Sequence, residues 1–104
     1  MTTDQIADAL RPHFGTLREI GLCSLSLFGS AARGEARLDS DLDFLYEFVP
    51  GAATLQHRLT LERVLEDALG RPVDLVPRKH LGAILPRYIG DDVATVYRRD
   101  LEAA

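Results

Sequence analysis

The chain has 104 residues, 46% of them apolar and 27% charged, with a net charge of −4 and a pI near 5.2. That length fits one domain over 1–104, and the acidic balance argues against a protein that grips long nucleic acid through a broad basic surface, because phosphate neutralisation supplies most of that affinity. No stretch reaches the roughly 18 apolar residues of a membrane span, the first residues lack a signal peptide's pattern, and the single Cys23 has no partner for an intrachain disulfide, so a cytoplasmic protein without membrane contact is expected.

In chain order, Thr2 or Thr3 can cap a first helix, with Asp4 near its positive end. Ile6, Leu10, Phe14 and Leu17 give it an apolar side, and Pro12 predicts a bend or an early end. After Gly21 the pattern alternates: Cys23, Leu25 and Leu27 form one phase, with Ser24 and Ser26 between them. Cys23 is expected as a small buried hydrophobe in that phase. Gly29 and Ser30 follow, then a short helical turn to Arg33, a polar connection, and a second strand from Asp41 to Phe48. Pro50-Gly51 ends that strand.

Thr54 opens a second long helix that Gly70 closes, with Leu55, Leu59, Leu61, Val64, Leu65, Ala68 and Leu69 as its apolar residues. Arg58, Glu62, Arg63, Glu66 and Asp67 read as its exposed face. A third strand, Pro72 to Val76, carries Asp74 at its centre. An acid there either faces water at a strand end or has its charge met by a partner. Beyond it, Leu81 to Ile89 reads as a third helix interrupted by Pro86, and Val93 to Tyr97 as a short strand or a last helical turn. His13, His57 and His80 are scattered and are expected as surface histidines, with no zinc-ligand spacing.

The chemistry concentrates between Leu25 and Leu45. Asp41 and Asp43 are two apart on a strand, so they share a face, with Cα atoms roughly 6.5 Å apart. Paired carboxylates suit a hard cation such as Mg2+. Gly29 permits close backbone approach to a ligand, and Ser30 adds a hydroxyl where a helix start presents free N–H groups to phosphate. Together they read as a phosphate cradle facing a metal-binding pair, hence chemistry on a nucleoside triphosphate. Glycosyltransferases also hold a metal-diphosphate with Asp-x-Asp, so the pair alone leaves the chemistry open. The order of elements suits a small α+β sheet with helices packed on one side.

Gly29-Ser30, ten intervening residues and then Asp41-Leu42-Asp43 resembles the signature of the DNA polymerase beta-like nucleotidyltransferase superfamily. The short chain is similar to its minimal members, the MNT proteins paired with HEPN-type RNase toxins. One departure is visible: Ala31 stands where many members carry Arg, with Arg33 nearby. The resemblance implies the nucleotidyltransferase fold with a mixed sheet, and it makes Asp74 the third carboxylate beside Asp41 and Asp43. It further implies two Mg2+ ions held by Asp41, Asp43 and Asp74, with ATP as donor, its phosphates on Gly29 and Ser30. The acceptor implied is a tyrosine hydroxyl of a HEPN-type toxin that forms a hetero-oligomer with this chain, so that AMP transfer disarms the toxin. The competing expectation is a non-catalytic antitoxin that neutralises its partner by contact. Transfer to a small molecule such as an aminoglycoside needs an acceptor-binding domain that this length does not supply.

Overall fold

The structure, a computed structural model, describes residues 2–28, 42–78 and 93–99. Gly29, Ser30, Asp41 and the predicted Leu81–Ile89 helix lie outside the described residues.

Helix α1 (Thr3–Leu10) starts at Thr2, whose hydroxyl accepts from Gln5 N at 3.1 Å while Gln5 Oε1 accepts from Thr2 N at 2.8 Å. This reciprocal cap satisfies backbone donors that a helix start leaves without partners. Pro12, with no N–H to give, falls in a 3-10 turn at Arg11–His13 that joins α1 to α2 (Phe14–Glu19), so the expected bend is present. The chain then reverses at Gly21, which has φ +80° and accepts from Val49 N at 2.8 Å. A side chain there would be strained by that φ, and its Cβ would also lie 2.5 Å from the Ala52 Cβ.

Strands β1 (Leu22–Phe28), β2 (Leu42–Phe48), β3 (Val73–Pro77) and β4 (Val93–Arg98) form, among the described residues, a four-stranded sheet in the order β3-β2-β1-β4. β1 pairs antiparallel with both β2 and β4, whereas β2 and β3 run parallel, joined through α3 (Leu55–Leu69). A parallel neighbour requires such a crossover. The sheet is therefore mixed, and Val93–Arg98 resolves as a strand. Thr54 caps α3 by accepting from His57 N at 3.1 Å, and Gly70 ends it with φ +68°.

Two register shifts decide which residues face inward. One skips Cys23 between Leu22 and Ser24, and the other skips Val96 opposite Leu25 and Ser26. The first corrects the sequence reading. Cys23 leaves the Leu25–Leu27 phase, is half-buried, and lies beside Ser24 and Glu47, while Leu22 takes the inner position. The second lets Val96 and Tyr97 both enter the core.

That core lies on one side of the sheet. Leu25, Leu27, Leu42, Phe44 and Tyr97 meet Ile6, Leu10, Leu17, Leu61 and Leu65 from the helices, all fully buried. Phe14 closes edge-to-face on Tyr97 with ring centroids 4.9 Å apart. Leu55 and Leu59, predicted for the apolar side of their helix, are instead 69% and 52% exposed. The helical period explains the correction: at about 100° per residue, Leu59 stands roughly 200° around the helix from Leu61. Two apolar stripes share one helix, and only the Leu61–Leu65 stripe meets the sheet. His57 is also no plain surface histidine: it is half-buried, tilted against Phe48, with Nδ1 donating to the Ala52 carbonyl at 2.8 Å.

Candidate active site

Alternation along β2 separates two kinds of chemistry. Leu42 and Phe44 project into the helix-covered core, so Asp43 between them projects from the opposite face. On β3 the register sets Asp74 directly beside Asp43, as it sets Leu42 beside Val73 and Phe44 beside Leu75. Lateral neighbours in a parallel pair share a face, about 4.8 Å apart at Cα. The two acids thus come together on the sheet face opposite the described helices. Asp43 is half-buried and Asp74, on the edge strand, is exposed.

Two carboxylates this close repel by about 1–3 kcal/mol, depending on whether water or a protein surface sets the dielectric. Exposure of Asp74 favours the lower end. A cation held by the pair would relieve the repulsion, and an all-oxygen donor set suits Mg2+ better than zinc. The described residues therefore fit the metal implied by the sequence, with two of its three expected ligands. Among the described residues no group of three His, Cys, Asp or Glu side chains gathers for a metal. Asp41, the remaining expected ligand, and Gly29 and Ser30, the expected phosphate contacts, lie outside them.

The same face carries features that the sequence reading did not assign to a site. Beyond Asp43 come Leu45, almost wholly buried, and Glu47; beyond Asp74 comes Val76, and then Arg78 past the end of the strand. Ser26 is fully buried, its hydroxyl 3.3 Å from that of Thr95. A shallow groove of about 280 Å³ is lined by Cys23, Ser24, Glu47, Arg78, Thr95 and Arg98. Parity with Asp43 and Asp74 could have found Glu47 and Arg78. The bulge at Cys23 hides the corresponding positions on β1 from any simple alternation.

Comparison with known proteins agrees with this fold. A family profile described as a nucleotidyltransferase domain matches residues 10–99. The protein adenylyltransferase MntA of Thermococcus cleftensis is 36% identical over 97 residues, covering 92% of this chain and 97% of that protein. A solved structure described as a candidate minimal nucleotidyltransferase superposes with a TM-score of 0.67 at 34% identity, over 86% of this chain and 96% of that one. The fold recurs at 18% identity, with a TM-score of 0.59 over 98% of this chain and 77% of that one, in a complex of tri-AMPylated Shewanella oneidensis HEPN toxin with MNT antitoxin. No helix among the described residues is long and apolar enough to cross a membrane. The mixed sheet, the acids on the face opposite its described helices and these matches lead to one assignment: the chain belongs to the nucleotidyltransferase domain family, in the minimal group related to MntA.

Proposed function

We propose that this nucleotidyltransferase, acting as one domain over 1–104, moves AMP from ATP to a hydroxyl, a tyrosine's, on a HEPN-type RNase toxin and so acts as its antitoxin. The observation that carries the reading is the lateral pairing of Asp43 with Asp74 on the face away from the described helices. The relation to protein adenylyltransferase MntA supports AMP as the transferred group, and the toxin complex of like fold suggests the class of partner.

In this reading Asp41, Asp43 and Asp74 hold two Mg2+ ions. When bound, they lower the acceptor hydroxyl's pKa and neutralise charge on the triphosphate. Asp43, set between the core residues Leu42 and Phe44, presents its carboxylate from a strand that the core holds in place. Asp74, exposed at the sheet edge, stands where an acceptor arrives from solvent and takes its proton. The acceptor oxygen bonds to the α-phosphorus, the bond to the β-phosphate bridging oxygen breaks, and pyrophosphate leaves. The Gly29 backbone N–H and the Ser30 hydroxyl hold the β- and γ-phosphates and stabilise that leaving group.

The test is label transfer from α-labelled ATP, with Mg2+, to a candidate HEPN-type toxin from the same genome. Asp41→Asn, Asp43→Asn and Asp74→Asn should each cut the labelling rate by about 100-fold or more while leaving the circular dichroism spectrum unchanged. Undiminished labelling by Asp43→Asn rules out the carboxylate roles. Full neutralisation of the toxin in cells by an unlabelling Asp43→Asn protein would instead show that contact alone suffices.

A further inference from the structure

Leu55 and Leu59 are the large hydrophobic side chains left exposed among the described residues, and they stand one turn apart on the outer stripe of α3. Leu55 opens onto a groove of about 130 Å³ between the first turn of α3 and the end of β2, lined also by Tyr46, Phe48, Ala53 and Arg58. A second groove of about 340 Å³ shares Tyr46, Phe48 and Ala53 and continues to Pro77 and Arg78 at the end of β3. The two make one apolar trough with an arginine on each flank. Among the described residues neither Arg58 nor Arg78 forms an ion pair.

The electrostatics select what fits there. The first turn of α3, capped by the neutral Thr54 hydroxyl, contains no acidic residue, so no carboxylate offsets the dipole there. Arg58 and Arg78 add to it, against one carboxylate, Glu47, in a chain whose net charge is −4. A segment with apolar side chains and flanking carboxylates complements the trough. A second copy of this chain does not, because two-fold pairing about the Leu55–Leu59 ridge brings the two Arg58 side chains together.

Tyr46 and Phe48 share the helix-covered face of β2 with Phe44, and the trough reaches the face of Asp43 and Asp74 at its rim, through Glu47 and Arg78. Asp74 and Arg78 are four residues apart on and just past edge strand β3, about 13 Å along the strand direction. That is the reach of about four extended residues.

We infer that this trough docks the acceptor protein through an apolar, carboxylate-flanked segment, which turns over the Glu47–Arg78 rim and carries its hydroxyl along β3 to Asp43 and Asp74. The inference rests on the function proposed above for the identity of the acceptor, and its test separates the two. With the candidate HEPN-type toxin as probe, toxin binding is measured by calorimetry and transfer by steady-state kinetics. Leu55→Glu/Arg58→Glu should weaken toxin binding and raise the KM for toxin by at least about 30-fold. The KM for ATP and the kcat at saturating toxin should stay within about twofold of wild type. Because both positions lie outside the core, the thermal midpoint should hold; Leu55→Gln serves as a milder variant if it does not.

Asp43→Asn should show the inverse pattern, binding kept and transfer lost. Toxin binding that depends on Leu55 and Arg58 without any labelling would uphold the docking site and refute the transfer reaction. Unchanged toxin affinity in the double variant, or no wild-type complex, overturns the docking site. So does a wild-type homodimer in sedimentation that Leu55→Glu dissolves, which would assign the trough to a second copy.

Discussion

Asp43 and Phe44 are adjacent on β2, yet they serve the molecule in opposite ways. Phe44 is fully buried among Leu25, Leu27, Leu61 and Leu65, where the helices meet the sheet. Asp43 emerges beside Asp74 on the face opposite the described helices. The apolar face supplies the stability that lets the other face hold two like charges side by side. That cost, about 1–3 kcal/mol, is tolerable only against a domain stability of roughly 5–15 kcal/mol. Stability and chemistry are thus separated by a single step of strand alternation.

That separation can be broken deliberately. Phe44→Ala should cost the most, about 3–5 kcal/mol in urea unfolding, since it opens a cavity where sheet and helices meet. Asp43→Asn should do the converse, holding the unfolding midpoint or raising it by relieving about 1 kcal/mol of repulsion, while slowing transfer by about 10²–10³-fold, roughly 3–4 kcal/mol of barrier. If Asp43→Asn unfolds the protein, or Phe44→Ala leaves its stability intact, the two faces are not divided as described.

Smaller effects sharpen the picture at the edges of the core. Gly21→Ala should lose about 2 kcal/mol, because an alanine meets both a left-handed φ of +80° and the Ala52 Cβ 2.5 Å away. Gly70→Ala makes a useful contrast: its φ is +68° but nothing lies within 4 Å of the added Cβ, so its loss should be the lesser of the two. Thr2→Ala should cost about 1 kcal/mol by removing the acceptor for Gln5 N. Thermal or urea unfolding of the three variants, compared with wild type, checks both the values and their ranking.

The two stripes of α3 repeat the lesson on a helix. Leu61 and Leu65 are sealed in the core, while Leu55 and Leu59 face outward. In sequence all four read as one apolar set, since spacing alone does not say how wide the face of a helix is that the sheet covers. The expectation failed at Leu55 and Leu59 for that reason, and the failure exposes the surface inferred to dock the acceptor.

Local physics made much of the fold readable from residues alone. Thr2, Thr54 and Gly70 mark helix ends because they satisfy or release backbone groups there, and Pro12 interrupts a helix because it lacks an N–H. Alternation placed Asp43 opposite Leu42 and Phe44, and the spacing from Gly29 to Asp43 pointed to the family. Tertiary structure alone decided the rest. The bulges at Cys23 and Val96 change which side chains face inward without any residue type that announces them. Above all, the pairing of Asp43 with Asp74 is a matter of register between strands separated by a helix, 31 residues apart in the chain. No local rule fixes it, because register is set by burying the Leu42–Phe44 and Val73–Leu75 faces together, and the acids meet as a consequence.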